Sequence, residues 1–417
     1  MTTDETAAWL RQGENLSRST LIELFFDLAF VFALTELSVT LAAHLTWGGA
    51  WQVLVLTMAV WWTWSVTTWA TDLYAQRAGL RALVIALMFG VVLLAGTVPN
   101  AFAERGLAFA VAYVVLQIGR TSTLLLATRR HPLRRRPARV LFWFVISAVI
   151  WISGAYLHDM VRTAVWTLAI AVDYGSANLG WPTPFLGRSE LSEWDVVEEH
   201  LGERYRQILI IGLGDMVLTM GEVYAAGRNG PMRTLGLATT FVTTVLLWQI
   251  YAYRAGEWIT TAFTPGSRRA RPARKLDWDH LVMVAGIVVT AVGGKLIIGH
   301  PSGHTPWSWL AVIVGGPALF LLGRAHFGYV VFGHLSLPRI VGLVGLGVLV
   351  PVLRLTTPLV AGAVVAVVLL LVISPDLPDL WRPANFQPPN IRMKQLRHRA
   401  APRPDSNRPP APGELTD

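Results

Sequence analysis

The side chains that could do chemistry in this chain stand inside, or at the edge of, long apolar runs. Glu23 and Asp27 are four residues apart, one helical turn on a shared face, with Thr35 and Ser38 further along the same stripe. Glu199, His200, Glu203 and Arg204 form a cluster with i, i+3 and i+4 spacings. Asp215 follows Gly212 and Gly214, and Glu222 comes seven residues later on nearly the same helical face. Arg120, with Gln117 one turn before it, Lys295 and Arg324 are the cations that also fall within apolar segments. A charge at mid-bilayer costs about 2.5–3.5 kcal/mol on insertion scales, so each such group needs a partner, the interior of a helix bundle or a wet cavity.

Two kinds of chemistry suit these patterns. Glu23, Asp27, Asp215, Glu222 and Arg120 fit the lining of a cavity that couples to an ion or a proton. The cluster Glu199, His200, Glu203 and Arg204 fits acid–base or ligand work at a membrane interface. Plainer roles compete with each. Asp27, walled by Phe25, Phe26, Phe30 and Phe32, could pair with an arginine of another helix, and Asp215 could tie two helices together where the glycines let them approach. The four-residue cluster could be a salt-bridged collar on exposed helix turns. Trp61, Trp62, Trp64 and Trp69 run about 12 Å into the second apolar segment before Asp72, deeper than headgroup level, so some of these rings should line an internal surface. His300 and His304 are four apart, but Pro301 and Gly303 between them forbid a regular helix, which favours a turn over a metal site. No metal and no cofactor is expected.

The elements that must position these groups follow from composition. Hydrophobic residues make up 53% of the chain and charged residues only 15%, with mean hydropathy +0.47. The apolar residues come in blocks long enough to cross a bilayer. The expected fold is all-α: a polytopic transmembrane helical bundle of about twelve spans, near 21–43, 50–71, 80–98, 107–127, 139–157, 163–181, 205–226, 234–254, 279–299, 307–331, 339–353 and 356–373. The last pair, broken by Pro351, Arg354 and Pro358, would also suit a re-entrant hairpin. Acids on the first and seventh spans suit two parallel repeats of six. Ser192 and Asp195 read as a capping box, so the seventh helix should begin near Glu193 and run to about Ala225. The organisation is an N-terminal segment 1–20, a first membrane half 21–181, an interfacial loop and helix start 182–204, a second half 205–375 and a basic, disordered tail 376–417.

Charge supplies the orientation. The net charge of +9 and pI near 10.2 come from joints and tail rather than from a nucleic-acid face. Arg129, Arg130, Arg134, Arg135, Arg136 and Arg139 follow the fourth span; Arg268, Arg269, Arg271, Arg274 and Lys275 follow the eighth; seven more Arg and Lys lie in the tail. Alternating spans put all three groups on one side, so both termini are expected in the cytoplasm. The first twenty residues hold Asp4, Glu5 and Glu14 and no apolar run, which does not suit a cleavable signal peptide. Zero Cys excludes disulfide and thiolate chemistry, and no GxxxxGK[ST], HExxH or GxSxG pattern offers a familiar catalytic centre. The expected partners are the lipid bilayer and a small solute or ion, with no nucleic acid; the oligomeric state is open.

Four stretches then resemble the bacterial low temperature requirement protein A family. They are Glu23-Leu24-Phe25-Phe26-Asp27-Leu28 with Phe30-Val31-Phe32, Trp61-Trp62 through Trp69-Ala70-Thr71, and His200-Leu201-Gly202-Glu203-Arg204 leading to Gly214-Asp215. The last is Val284-Ala285-Gly286-Ile287 with His300-Pro301, Gly303-His304-Thr305 and Gly315-Gly316-Pro317-Ala318. The match runs in order from residue 20 to about 380. Family members usually carry Glu where Asp215 stands and commonly an acid where Lys295 stands; the first change keeps the charge and the second reverses it. The resemblance implies a multi-span protein of the bacterial plasma membrane whose family name records a cold-growth phenotype rather than a reaction. The acid after Phe in the first span is also similar, over a few residues, to the Phe-Ser-Asp signature of a potassium-channel family with paired six-helix repeats. The favoured function is a transporter or channel for a small solute or ion. The alternatives are a membrane enzyme or lipid-handling protein built on Glu199, His200 and Glu203, and a sensor or scaffold.

The orientation has a direct test. A reporter active only in the cytoplasm is expected to work when fused after residue 137 or in the tail, and to fail when fused after Gly303. The opposite pattern overturns the topology.

Overall fold

A computed structural model of the protein describes residues 21–73, 78–130, 134–189, 198–228, 230–252, 273–332 and 335–376. The N-terminal segment, the Ser192 and Asp195 cap, the arginines of 268–274 and the tail beyond 376 lie outside the described residues. With no water in a bilayer core, each backbone N–H and C=O must be satisfied within its own segment, which makes helices of these apolar runs. Among the described residues there are twelve long helices. In chain order they are α1 (Leu21–Ala43), α2 (Trp47–Leu73), α3 (Ala78–Thr97), α4 (Gly106–Ala127), α5 (Arg135–Ala155), α6 (Asp159–Asn178), α7 (Glu198–Ala225), α8 (Pro231–Ala252), α9 (Ala273–Gly299), α10 (Trp307–Phe332), α11 (Leu337–Leu353) and α12 (Pro358–Ile373).

Nine of them are long and apolar enough to cross a membrane. The exceptions have separate causes. Helix α6 has the length, 20 residues, but carries Asp159, Arg162 and Asp173. Helices α11 and α12 have 17 and 16 residues, about 26 and 24 Å of rise against a hydrocarbon core of about 30 Å. They are separated where Pro358 stands at a helix start and the Thr357 hydroxyl accepts a hydrogen bond from the Val360 N–H at 3.3 Å.

The burial pattern departs from that of a water-soluble protein at both its surface and its charged residues. Phe25, Phe89, Leu93, Val115, Leu218 and Val348 are exposed, whereas Glu23, Asp27, Arg120, Asp173, Arg204 and Arg324 are buried. A lipid-facing surface explains the exposed apolar side chains, and the cost of charge in lipid explains why the ionisable ones are enclosed within the bundle. Many buried threonines hide their hydroxyls by bonding back one turn, as Thr57 does to the Val53 carbonyl at 2.7 Å and Thr63 to Ala59 at 3.0 Å.

The packing order repeats. Helix α1 packs on α2 and α3, α3 on α4, α4 on α5, α5 on α6, and α2 on both α4 and α6. Six helices on, α7 packs on α8 and α9, α9 on α10, α10 on α11, α11 on α12, and α8 on both α10 and α12. The two sets meet through α1 and α2 against α7 and α9. Between them, Gly180, Trp181, Phe185 and Gly187 take positive φ in a tight loop. Arg139 grips that loop, donating to the Leu186 carbonyl at 2.7 and 2.9 Å and to Ser189 Oγ at 3.1 Å.

Helices α9 and α10 pack closely, and glycine makes it possible. A methyl group on Gly286 would stand 2.6 Å from the Phe320 nitrogen, and one on Gly316 would stand 2.4 Å from the Thr290 nitrogen. Small residues at such crossings let backbones approach and gain dispersion contact that lipid tails cannot supply. Gly316→Ala is therefore expected to lower stability by about 1–3 kcal/mol through overpacking. Gly347→Ala, where the added carbon meets nothing within 4 Å, should leave it unchanged or slightly raised. Thermal unfolding in detergent reads the difference.

Candidate functional site

Helices α1, α2, α7 and α9 meet in a buried ring of polar groups. Asp27 of α1 is 0% exposed. Arg204 of α7 grips it with two bonds, Nε to Oδ2 at 3.1 Å and Nη2 to Oδ1 at 2.6 Å, and Trp64 Nε1 of α2 donates to Oδ1 at 2.7 Å. Glu23, one turn before Asp27, lies 3.9 Å from Arg204 Nη1. The next residue of α7, Tyr205, donates to Oδ1 of Asp277 on α9 at 2.9 Å. The same oxygen accepts from Ser65 Oγ at 2.8 Å and Trp61 Nε1 at 3.2 Å, both on α2. Consecutive residues of α7 thus hold acids of two other helices, and one face of α2 serves both. Tyr205 packs against the Trp64 ring at 5.4 Å and stacks on His280 at 4.4 Å between centroids, so aromatic rings close the gaps around the charges.

Further along α1 and α7 a second group gathers. Asp215 accepts a short hydrogen bond from the Thr35 hydroxyl of α1. Lys295 of α9 donates to Ser38 Oγ at 3.0 Å and lies within electrostatic reach of Asp215, Glu222 and Glu36. Asp215 is buried, Glu36 half-buried and Glu222 exposed, so the group reaches from the packed interior to the surface. No arginine binds Asp215 among the described residues, in contrast to Asp27.

The sequence grouped the ionisable residues differently. Arg204, read with Glu199, His200 and Glu203 as an interfacial cluster, is instead fully buried and bound to Asp27. The physical reason is the helix period: Arg204 turns toward α1, while Glu203 stays half-buried and accepts from Arg206 at 2.6 Å and Gln207 at 3.1 Å on its own helix. The side chains of Glu199 and His200 lie outside the described residues. Arg120, grouped with Asp27 and Asp215, stands apart in the first six helices. It donates to Thr67 Oγ1 at 2.8 Å and to Gln117, with Asp173 of α6 in electrostatic reach.

Sequence reading missed Asp173, Asp277 and Asp279. Asp173 accepts from the Tyr113 hydroxyl at 2.8 Å, and Asp279 lies 2.5 Å from Nδ1 of the exposed His326. Asp173 lies within the sixth apolar run and could have been found by the criterion that found Asp215. Asp277 fell two residues before the ninth span as drawn, and helix α9 begins earlier, at Ala273. Among the described residues no three His, Asp or Glu side chains come together in a way that could hold a metal ion.

A helical bundle with apolar exterior and buried ion pairs defines the class, a multi-pass membrane protein. The chain belongs to the bacterial low temperature requirement A protein family, whose pattern it matches over residues 18–374. It is similar to an uncharacterised protein of Rhizobium meliloti (strain 1021), 34% identical over 324 residues that cover 76% of this chain and 78% of the relative. No solved structure matches it.

The ion pair yields a quantitative expectation. Arg204→Met strips the buried Asp27 and Glu23 of their shared cation and is expected to cost about 3–5 kcal/mol, whereas Asp27→Asn leaves Glu23 beside Arg204 and is expected to cost less. The double variant should lose less than the sum, which a double-mutant cycle of thermal unfolding in detergent measures. Additive losses would mean the two residues act independently.

Proposed function

We propose that this protein is a transporter or channel for a small solute or ion, with Asp215 on the path. It spans the bacterial plasma membrane about twelve times with both termini in the cytoplasm. Helices α1–α6 and α7–α12 are two parallel repeats, a reading supported by the packing order that recurs after six helices. An even number of spans per repeat gives equivalent helices the same direction; α1 packs against α7 at the junction, and Thr35 meets Asp215 there.

The observation that carries the reading is the contrast between the two acids. Asp27 is held by an arginine, a tryptophan and neighbouring rings, and suits a closed plug between the repeats. Among the described residues Asp215 accepts its side-chain hydrogen bond from the Thr35 hydroxyl, with the Lys295 ammonium in electrostatic reach rather than in a close ion pair, and Glu222 on the same helix is exposed. A carboxylate kept in hydrocarbon without a bound arginine is stabilised by mobile cations, protons or water, which is what a permeation or coupling site requires.

Flux into proteoliposomes tests this. Asp215→Asn is expected to remove most of the flux while the protein still folds; flux equal to wild type takes Asp215 off the path. A scaffold role is the second reading, favoured by the sealing of Asp27 against Arg204. In that case Asp27→Asn and Asp215→Asn would both lower stability, and neither inorganic ions nor small organic solutes would cross.

A further inference from the structure

A hydroxyl group has one proton to give and two lone pairs with which to receive. Thr35 of α1 holds its Oγ1 between two oxygens, the Val31 carbonyl one turn back at 3.0 Å and Oδ1 of Asp215 on α7. One proton cannot make both bonds at full strength. With Asp215 ionised, the hydroxyl turns to the carboxylate and releases Val31. With Asp215 protonated, the carboxyl O–H donates to Thr35 while Thr35 donates to Val31, so both contacts become hydrogen bonds.

Other threonines that bond back one turn and also meet a side chain of another helix show which arrangement this bundle uses. Thr63 donates to the Ala59 carbonyl at 3.0 Å and receives Nε2 of Gln117 at 3.2 Å; Thr67 donates to the Thr63 carbonyl at 2.7 Å and receives Arg120 at 2.8 Å. On α6, Thr163 donates to the Asp159 carbonyl at 3.0 Å and receives Nε2 of Gln52 at 3.2 Å, and Thr167 donates to the Thr163 carbonyl at 2.7 Å and receives Nε1 of Trp51 at 3.1 Å. Thr234 donates to the Gly230 carbonyl at 3.1 Å and meets the Tyr224 hydroxyl at 3.0 Å. In each case the side chain across the interface is able to donate. Among the described residues Thr35 alone of this group faces a carboxyl oxygen, which donates only when it carries a proton.

The charged groups around Asp215 leave it open to either state. Among the described residues no cation is paired with it, in contrast to Arg204 on Asp27. Helix α9 brings Lys295, in electrostatic reach but hydrogen-bonded to Ser38 Oγ at 3.0 Å; α7 itself brings Glu222, and α1 brings Glu36 beside Thr35. Helix α8 brings Arg233, which donates to the Val223 carbonyl at 2.6 Å. We infer that Asp215 is a proton-exchanging carboxyl and that Thr35 is its positioning residue, the hydroxyl reversing direction each time the proton enters or leaves. On release the Asp215 O–H bond breaks and its proton passes to a water molecule, while Thr35 keeps its own proton and swings it from the Val31 carbonyl to the carboxylate; binding reverses both movements. The inference rests on the transport reading and deepens it, since it names the proton as the ion that this acid takes.

Infrared difference spectroscopy on the full-length protein in detergent tests it, because a protonated carboxyl and a carboxylate absorb separately. Wild type should show a carboxylic C=O band that bleaches as the pH rises. Asp215→Asn should lack that band and Asp215→Glu should displace it, the second variant deciding the matter if the first does not fold. Absence of a band that depends on residue 215, or a band that persists at every pH at which the protein is folded, overturns the inference.

Thr35 supplies the second arm. A hydrogen bond to an ionised acceptor is about twice as strong as one between neutral groups, so the hydroxyl favours the ionised carboxyl. Thr35→Val should therefore hold the proton about five- to tenfold more tightly, its band bleaching at higher pH, and Thr35→Ser should restore the wild-type midpoint. A midpoint unmoved in Thr35→Val, or moved equally in Thr35→Ser, overturns the part given to Thr35. Flux separates the two readings. Asp215-dependent flux with no titrating band removes only the proton assignment, and a titrating band with no flux under a pH gradient removes only the transport reading.

Discussion

The Asp27–Arg204 ion pair is the interaction on which the arrangement of the bundle turns. An arginine inserted alone among helices in hydrocarbon is prohibitively placed, and so is an aspartate; each makes the other tenable only if α1 and α7 are side by side. Because Arg204 is bidentate, it sets the rotation of both helices as well as their distance. Trp64 then brings α2 to the same carboxylate, and Tyr205 carries the register on to Asp277 and α9. Apolar packing alone would not choose this register, since lipid tails are as apolar as the side chains they would replace.

This ring also explains the chemistry of the rest of the interior. Four helices are locked together by a bidentate ion pair and buried hydrogen bonds, which leaves little there for a solute to bind. Further along the same helices, Lys295 interacts electrostatically with Glu36, Asp215 and Glu222 and donates its hydrogen bond to Ser38 instead. A rigid polar seal beside a looser charged pocket is an arrangement in which one part holds structure and the other remains able to exchange partners. The first six helices contain a comparable network around Arg120 and Asp173, and the last six place Arg324 on α10 against the Ile250 carbonyl of α8 at 3.1 Å. Arginines on the corresponding helices α4 and α10 each reach back to the second helix of their own set.

Much of this was legible in the amino-acid order. The blocks of apolar residues announced the helices, because the bilayer imposes both a length and internal hydrogen bonding on any segment that crosses it. The same physics marked Glu23, Asp27, Arg120, Asp215 and Arg324 as residues needing shelter, and all are buried. It marked the tryptophans of the second span as too deep for a headgroup belt, and Trp61, Trp62 and Trp64 are buried among other rings. Gly286 and Gly316 carried a family resemblance with no stated reason; the crossing of α9 and α10 supplies it.

What sequence by itself determined is therefore a one-dimensional matter: which segments cross, which residues within them are costly, and which sit on a shared helical face. Partnership was decided only in three dimensions. Arg204 and Asp27 are 177 residues apart, and Thr35 and Asp215 are 180 apart. Helical periodicity relates residues a few turns apart along one helix and says nothing about which helix stands opposite. For that reason Arg204 read as a neighbour of Glu203 at an interface, while folding turned it inward to a carboxylate from the other half of the chain.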